Sequence, residues 1–189
     1  MVLRTDRVDT SVEIVNDDYG KESIEAKIYV QGIWVYRGSP RSVQVHINRD
    51  ETILFSPVEK LILHPYSDRE GLPSVRARTY TLEEVFAEKL RAFSGQRKFA
   101  VDRDLFDLYH LYKAKIDTAA ALRAFPAKCA LKGIDLSKLD IASVVERKEE
   151  FRTNWEKNLE YLVPESMKVP FEEAWSNGVI LLKSSLRGT

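Results

Sequence analysis

The sequence predicts an α+β fold, in which a mostly antiparallel sheet from the first 80 residues precedes a bundle of helices. Two observations carry this. Apolar and polar residues alternate through the first part of the chain, and from Thr81 onward the apolar residues recur at helical spacing. Size and composition agree: 189 residues, 44% hydrophobic and 31% charged, suit one globular domain. Residues 1–80 and 81–189 are expected to be the strand-rich and helical parts of one compact unit.

The expected strands are SVEIV (11–15), SIEAKIYVQGIWVYRG (23–38), SVQVHINR (42–49), TILF with VEKLILHPY (52–66), and VRARTY (75–80). In VQVHIN, Val43, Val45 and Ile47 share one face while Gln44, His46 and Asn48 share the other, the pattern of a half-exposed strand. Turns at Asp17 to Gly20, at Gly38-Ser39-Pro40 and along Ser67 to Pro73 join the strands into a meander. The first helix is punctuated at both ends. Thr81 with Glu84 forms a capping box, helix formers run from Leu82 to Ser94, and Gly95 offers a left-handed stop. Further helices are expected over about 102–114, 118–130, 141–162, where Pro164 ends the run, and 170–184.

Composition excludes several classes of function. Lys plus Arg and Asp plus Glu both total 29, so any nucleic-acid contact needs a local patch. Cys129 is the only cysteine, which rules out an internal disulfide and a cysteine-based zinc site. No apolar run approaches the roughly 20 residues of a membrane helix. The opening MVLRTDRVDTSVEI has no apolar signal core, so a cytoplasmic protein without membrane contact is expected. His46, His64 and His110 lack metal-ligand spacing, and no P-loop, Rossmann glycine fingerprint or serine elbow occurs.

Two places break the apolar pattern. On a helical wheel, Leu82, Val85, Phe86, Leu90 and Phe93 form one stripe, and Lys89 falls inside it. Such a lysine either snorkels at the core edge or pairs with a carboxylate, or else holds its ammonium ready for a phosphate or carboxylate ligand. In DRDLFDLYHLY, Leu105, Leu108, Tyr109 and Tyr112 form the stripe, with Asp104 and Asp107 together on its flank. Their spacing suits a solvated face with Arg103 paired to Asp107. It also allows two acids that orient a nucleotide, a metal or an attacking hydroxyl, although by spacing the solvated face is the simpler reading. Spacing does not choose between these.

The stretch 75–113, VRARTYTLEEVFAEKLRAFSGQRKFAVDRDLFDLYHLYK, resembles the AbiEii/AbiGii family of abortive-infection toxins. Members carry a sheet strand, then S/T-L-E-E-x-x-A-E-K-L-x-A, then R/K-D-x-x-D-L-x-x-L. Upstream, SVQVHINRDETILFSPVEKLILHPYSD (42–68) is similar to the family's strand, Pro-Val and His-Pro segment. Downstream, 151–182 resembles its closing helices, with Trp155, Phe171 and Trp175 in matching places, so the resemblance spans about 23–182.

The resemblance implies a nucleotidyltransferase-like fold and the toxin of a type IV toxin–antitoxin system. Such a toxin moves a nucleotide from a nucleoside triphosphate, with Mg²⁺, onto a tRNA, another RNA or a protein, and an antitoxin is its partner. Lys89 matches the family lysine that meets the triphosphate, with Arg103 as a second nucleotide-binding position. Asp104 and Asp107 match the acids of the R/K-D-x-x-D motif and are the implied catalytic pair. His46, with Asn48 beside it, occupies a strand position where many members carry an acid. The family's first motif, a Gly-Gly or Gly-Ser turn before a strand ending Asp-x-Asp, is not found, since Asp6 and Asp9 lack both the turn and the spacing.

Three functions follow as expectations. One is a nucleotidyltransferase toxin acting through Lys89, Asp104 and Asp107, a poor catalyst unless another chain or a longer product supplies the first motif. Another is a non-catalytic module that pairs with an antitoxin or a separate N-terminal half through a sheet edge. The third is nucleic-acid binding through Lys89, Arg91, Arg97, Lys98 and Arg103.

Overall fold

Period-two patterning builds the first sheet. β1 (Asp9–Asn16), β2 (Glu22–Val30) and β3 (Arg41–Asn48) pair antiparallel in the order β1-β2-β3. The register sets Ile24 opposite Ile47, Ala26 opposite Val45 and Ile28 opposite Val43, so one face gathers the apolar residues of β2 and β3. Glu25 opposite His46 and Lys27 opposite Gln44 occupy the other face, where Lys27 and Glu25 form an ion pair at 3.2 Å. The computed structural model describes residues 9–16, 22–30, 41–48, 52–63, 71, 73–96 and 99–187. The expected turns at 17–20 and 38–40, the 31–38 part of the long second strand, His64, and nearly all of the polar loop after it lie outside these residues.

The chain divides into two compact units, Met1–Thr52 and Ile53–Thr189. The second opens on its own small sheet, β4 (Val58–Leu61) antiparallel to β5 (Arg76–Thr79). Among the described residues the strand-rich part is therefore two sheets rather than one meander. The expected strand over TILF is absent, because the backbone N–H groups of Leu54 and Phe55 donate to the Glu84 carboxylate, at 3.0 and 2.9 Å. β4 stops at Leu61, although one further backbone bond joins Ile62 to Val75.

The helices are α1 (Leu82–Arg91), α2 (Asp102–Lys113), α3 (Thr118–Leu131), α4 (Ile141–Glu146), α5 (Lys148–Asn154), α6 (Glu160–Leu162) and α7 (Phe171–Arg187). Their apolar stripes meet in one core, with Phe86, Leu90 and Phe93 from one side and Leu105, Leu108, Phe125, Phe151, Trp175 and Leu182 from the others. Phe93 lies edge-on to Phe151 and Trp175 at 5.4 and 5.5 Å between ring centres, a favoured aromatic geometry. The two expected stripes fray at their ends: Leu82 and Tyr112 are exposed. Gly178 lets α7 approach closely, since a Cβ there would lie 2.8 Å from Leu105 Cδ1.

The single helix expected over 141–162 is instead α4, α5, a π-helical turn over Trp155–Leu159, and α6. The first break is at Arg147, whose ψ is 4°. Beyond it Glu150 accepts from the backbone N–H of Ala100 at 2.6 Å, while Asn154 donates to the Ala100 carbonyl at 2.9 Å. Both polar groups of Ala100 are thus held by α5. This pins the connection leading into α2, the helix that carries the acid pair.

Candidate functional site: a lysine between two aspartates

Local sequence fixes the helix that carries Lys89. Thr81 Oγ1 accepts from the Glu84 N–H at 3.2 Å and caps α1, as expected. The reciprocal half of the capping box is replaced, because the Glu84 carboxylate turns to Leu54 and Phe55. A π-helical turn over Ala92–Gln96 follows α1, and within it Gly95 takes φ 98°, the left-handed stop. With Phe86 and Leu90 fully buried, the Lys89 stem runs along the core edge and its ammonium reaches α2.

Asp104 and Asp107 both meet it. Lys89 Nζ lies 2.9 Å from Asp104 Oδ1 and 2.7 Å from Asp107 Oδ2. The Asp104 side chain is 4% exposed and that of Asp107 41%, so one acid is an interior anchor and the other faces solvent. Burial works against the Lys89 ammonium. The hydrogen bonds and charges of Asp107 and Asp104 outweigh it, and the pKa rises above the usual lysine value.

The other expected positions divide. Arg103 is exposed and the ion-pair partner of Asp107 is Lys89, so the anticipated Arg103–Asp107 pairing is replaced. His46 and Asn48 lie on β3 of the N-terminal unit, opposite Glu25 and Ser23. The expected basic patch is described only in part: Lys89 is paired with its aspartates, Arg91 is buried against Glu88 at 2.7 Å, Arg103 is exposed, and Arg97 and Lys98 lie outside the described residues.

A second charge cluster went unread in the sequence. The Lys128 side chain, 1% exposed, ion-pairs with Glu84, equally buried, and lies 2.8 Å from Glu88 Oε1. Burial lowers the Lys128 pKa and bonds to Glu84 and Glu88 raise it further, for a net rise. The wheel that singled out Lys89 also works here: about 100° per residue places Lys128 beside Ala121, Phe125 and Cys129, all fully buried. The alanines of α3 hide that stripe.

A cavity of about 210 Å³ opens elsewhere on the helical unit, lined by Phe106, Trp155, Leu159, Val163 and Phe171 among others. It shares α2 with the lysine–aspartate cluster but none of its residues. Among the described residues no three His, Cys, Asp or Glu side chains converge as metal ligands. Lys89 sits where a cation between Asp104 and Asp107 would go. The described residues alone do not fit a Mg²⁺ site.

A sequence model of the family described as nucleotidyl transferase AbiEii toxin, type IV toxin–antitoxin system, matches residues 3–177. The chain belongs to the AbiEii toxin family. No curated protein and no solved structure matches it. The AbiEii match begins upstream of the expected start near residue 23 and takes in β1, so both sheets and most helices are family structure. As an AbiEii member the chain carries a nucleotidyltransferase-type toxin domain of a type IV toxin–antitoxin system. Among the described residues no helix is long and apolar enough to cross a membrane.

Proposed function

We propose that this AbiEii-family chain transfers a nucleotide from a nucleoside triphosphate to a hydroxyl of an RNA acceptor, tRNA included, through Lys89, Asp104 and Asp107. One observation carries the reading: the ammonium of α1 is held by both acids of α2, at the residues that match the family's lysine and R/K-D-x-x-D motif. A lysine ammonium is a compact counter-charge for phosphate oxygens. Asp104, buried, keeps Lys89 charged and aimed, and exposed Arg103 adds a second phosphate contact.

In the transfer, the acceptor oxygen attacks the α-phosphorus, the bond to the β-phosphate breaks, and pyrophosphate leaves. Asp107, solvent-facing and with one oxygen on Lys89, takes the hydroxyl proton. The family implies magnesium with the triphosphate, and donors beyond the described residues would have to help hold it. An antitoxin protein is the natural regulator of such a toxin.

The test is transfer of label from α-labelled nucleoside triphosphates with Mg²⁺ onto RNA. Lys89→Ala and Asp107→Asn should each lower the rate by about 10²-fold or more. Labelling by wild type that Lys89→Ala leaves unchanged would overturn the site. Label on added protein rather than RNA would overturn the acceptor.

A further inference from the structure

We infer that Lys128, with Glu84 and Glu88, is a positioning element for Lys89, an inference that rests on the nucleotide-binding role proposed above. Glu84 and Glu88 are one turn apart on α1, and Glu88 immediately precedes Lys89. Consecutive residues point about 100° apart around a helix, so α1 is gripped by α3 at Glu88 and by α2 at Lys89. Glu84 extends the grip through its bonds to the backbone of Leu54 and Phe55. Glu88 is also held within α1 by Arg91, which donates from Nη2 at 2.7 Å and from Nε at 3.2 Å. One buried ammonium therefore ties α3 to α1, and through Glu84 to the segment entering β4.

Stability alone is a weak reason for such a cluster, because well-packed apolar residues often replace a buried ion pair at no loss. Apolar packing at this interface would tolerate small rotations of α1. A buried charge network restrains such rotation more tightly. The Lys89 ammonium projects several ångströms from the helix axis, so a small rotation of α1 carries it off the line to Asp104 and Asp107. A displacement of about 1 Å at a reacting or binding group can cost 10²-fold.

The experiment measures affinity for nucleoside triphosphate with Mg²⁺ by titration calorimetry, at a temperature where circular dichroism shows each protein fully folded. The variants are Lys128→Met, Lys89→Ala, and the double Glu84→Gln/Lys128→Met, in which no lone buried charge remains and the amide still accepts from Leu54 and Phe55. The double variant decides the matter if Lys128→Met fails to fold. The inference expects at least tenfold weaker binding in the folded Lys128 variants and loss of binding in Lys89→Ala. Wild-type affinity in a folded Lys128 variant, with Lys89→Ala defective, would overturn the positioning role and leave the proposed function standing. Wild-type affinity in Lys89→Ala would overturn the nucleotide site and, with it, this inference.

Discussion

Lys89 looks out of place on its wheel because its partners are 15 and 18 positions away, on the next helix. Helical periodicity exposes the anomaly, but only the packing of α1 against α2 shows which carboxylates the lysine meets. The lysine is paired with two carboxylates, one buried and one solvent-facing. Removing it takes from buried Asp104 the ammonium 2.9 Å away. Lys89→Ala should therefore lower stability by about 1–3 kcal/mol, read from urea unfolding. An unchanged midpoint would mean that Asp104 finds another partner. Lys128 was equally readable by the same wheel and more deeply buried, yet it stands in a helix so rich in alanine that no stripe stands out. Lys128→Met should cost more, about 3–5 kcal/mol, because it strands Glu84 in the interior.

At the scale of elements, what was legible is what local chemistry decides. The Thr81 cap, the Gly95 stop and the span of α2 follow from residues within a turn or two of each boundary. Gly95→Ala should cost about 1–2 kcal/mol through backbone conformation, since its Cβ would meet only Val144 Cγ2, at an ordinary 3.5 Å. At Gly178 the limit is space: Gly178→Val should cost about 1–3 kcal/mol by overpacking Leu105 and Phe93. Thermal or urea unfolding of the two variants checks both figures. The break at Arg147 and the loss of the TILF strand were illegible for the opposite reason. Each is set by a side chain far along the chain, Glu150 with Ala100 and Glu84 with Leu54 and Phe55. Local pattern carries no trace of such bonds.

For the whole molecule, charge pairs define a pH range of stability. Arg147 and then the Ala100 N–H hold the Glu150 carboxyl below its ordinary 4.5, Lys148 and Arg152 do so for Glu172, and Tyr109 for Glu173. A lowered folded pKa gives stability that is present above 4.5 and lost as pH falls through the folded value. For Lys89 and Lys128 the folded pKa is raised, so their contribution is complete below 10.5 and lost as pH climbs through the higher folded values. The urea midpoint should therefore fall at both extremes, and Glu150→Gln should flatten the acid side alone. A Glu150→Gln variant with an unaltered acid profile would contradict the role given to that carboxyl. The α+β order was legible because period two gives way to period 3.6 at Thr81. The division at Thr52 was not, since strands stand on both sides of it.

In the function proposed above, Lys89, held between Asp104 and Asp107, receives the triphosphate. Phosphorus NMR of a nucleoside triphosphate with Mg²⁺, titrated with wild type and with Lys89→Ala, tests it most directly. Shifted and broadened β- and γ-phosphorus signals with wild type, reverting to those of free nucleotide with the variant, are the predicted result. The same signals with both proteins, whether shifted or free, would contradict it.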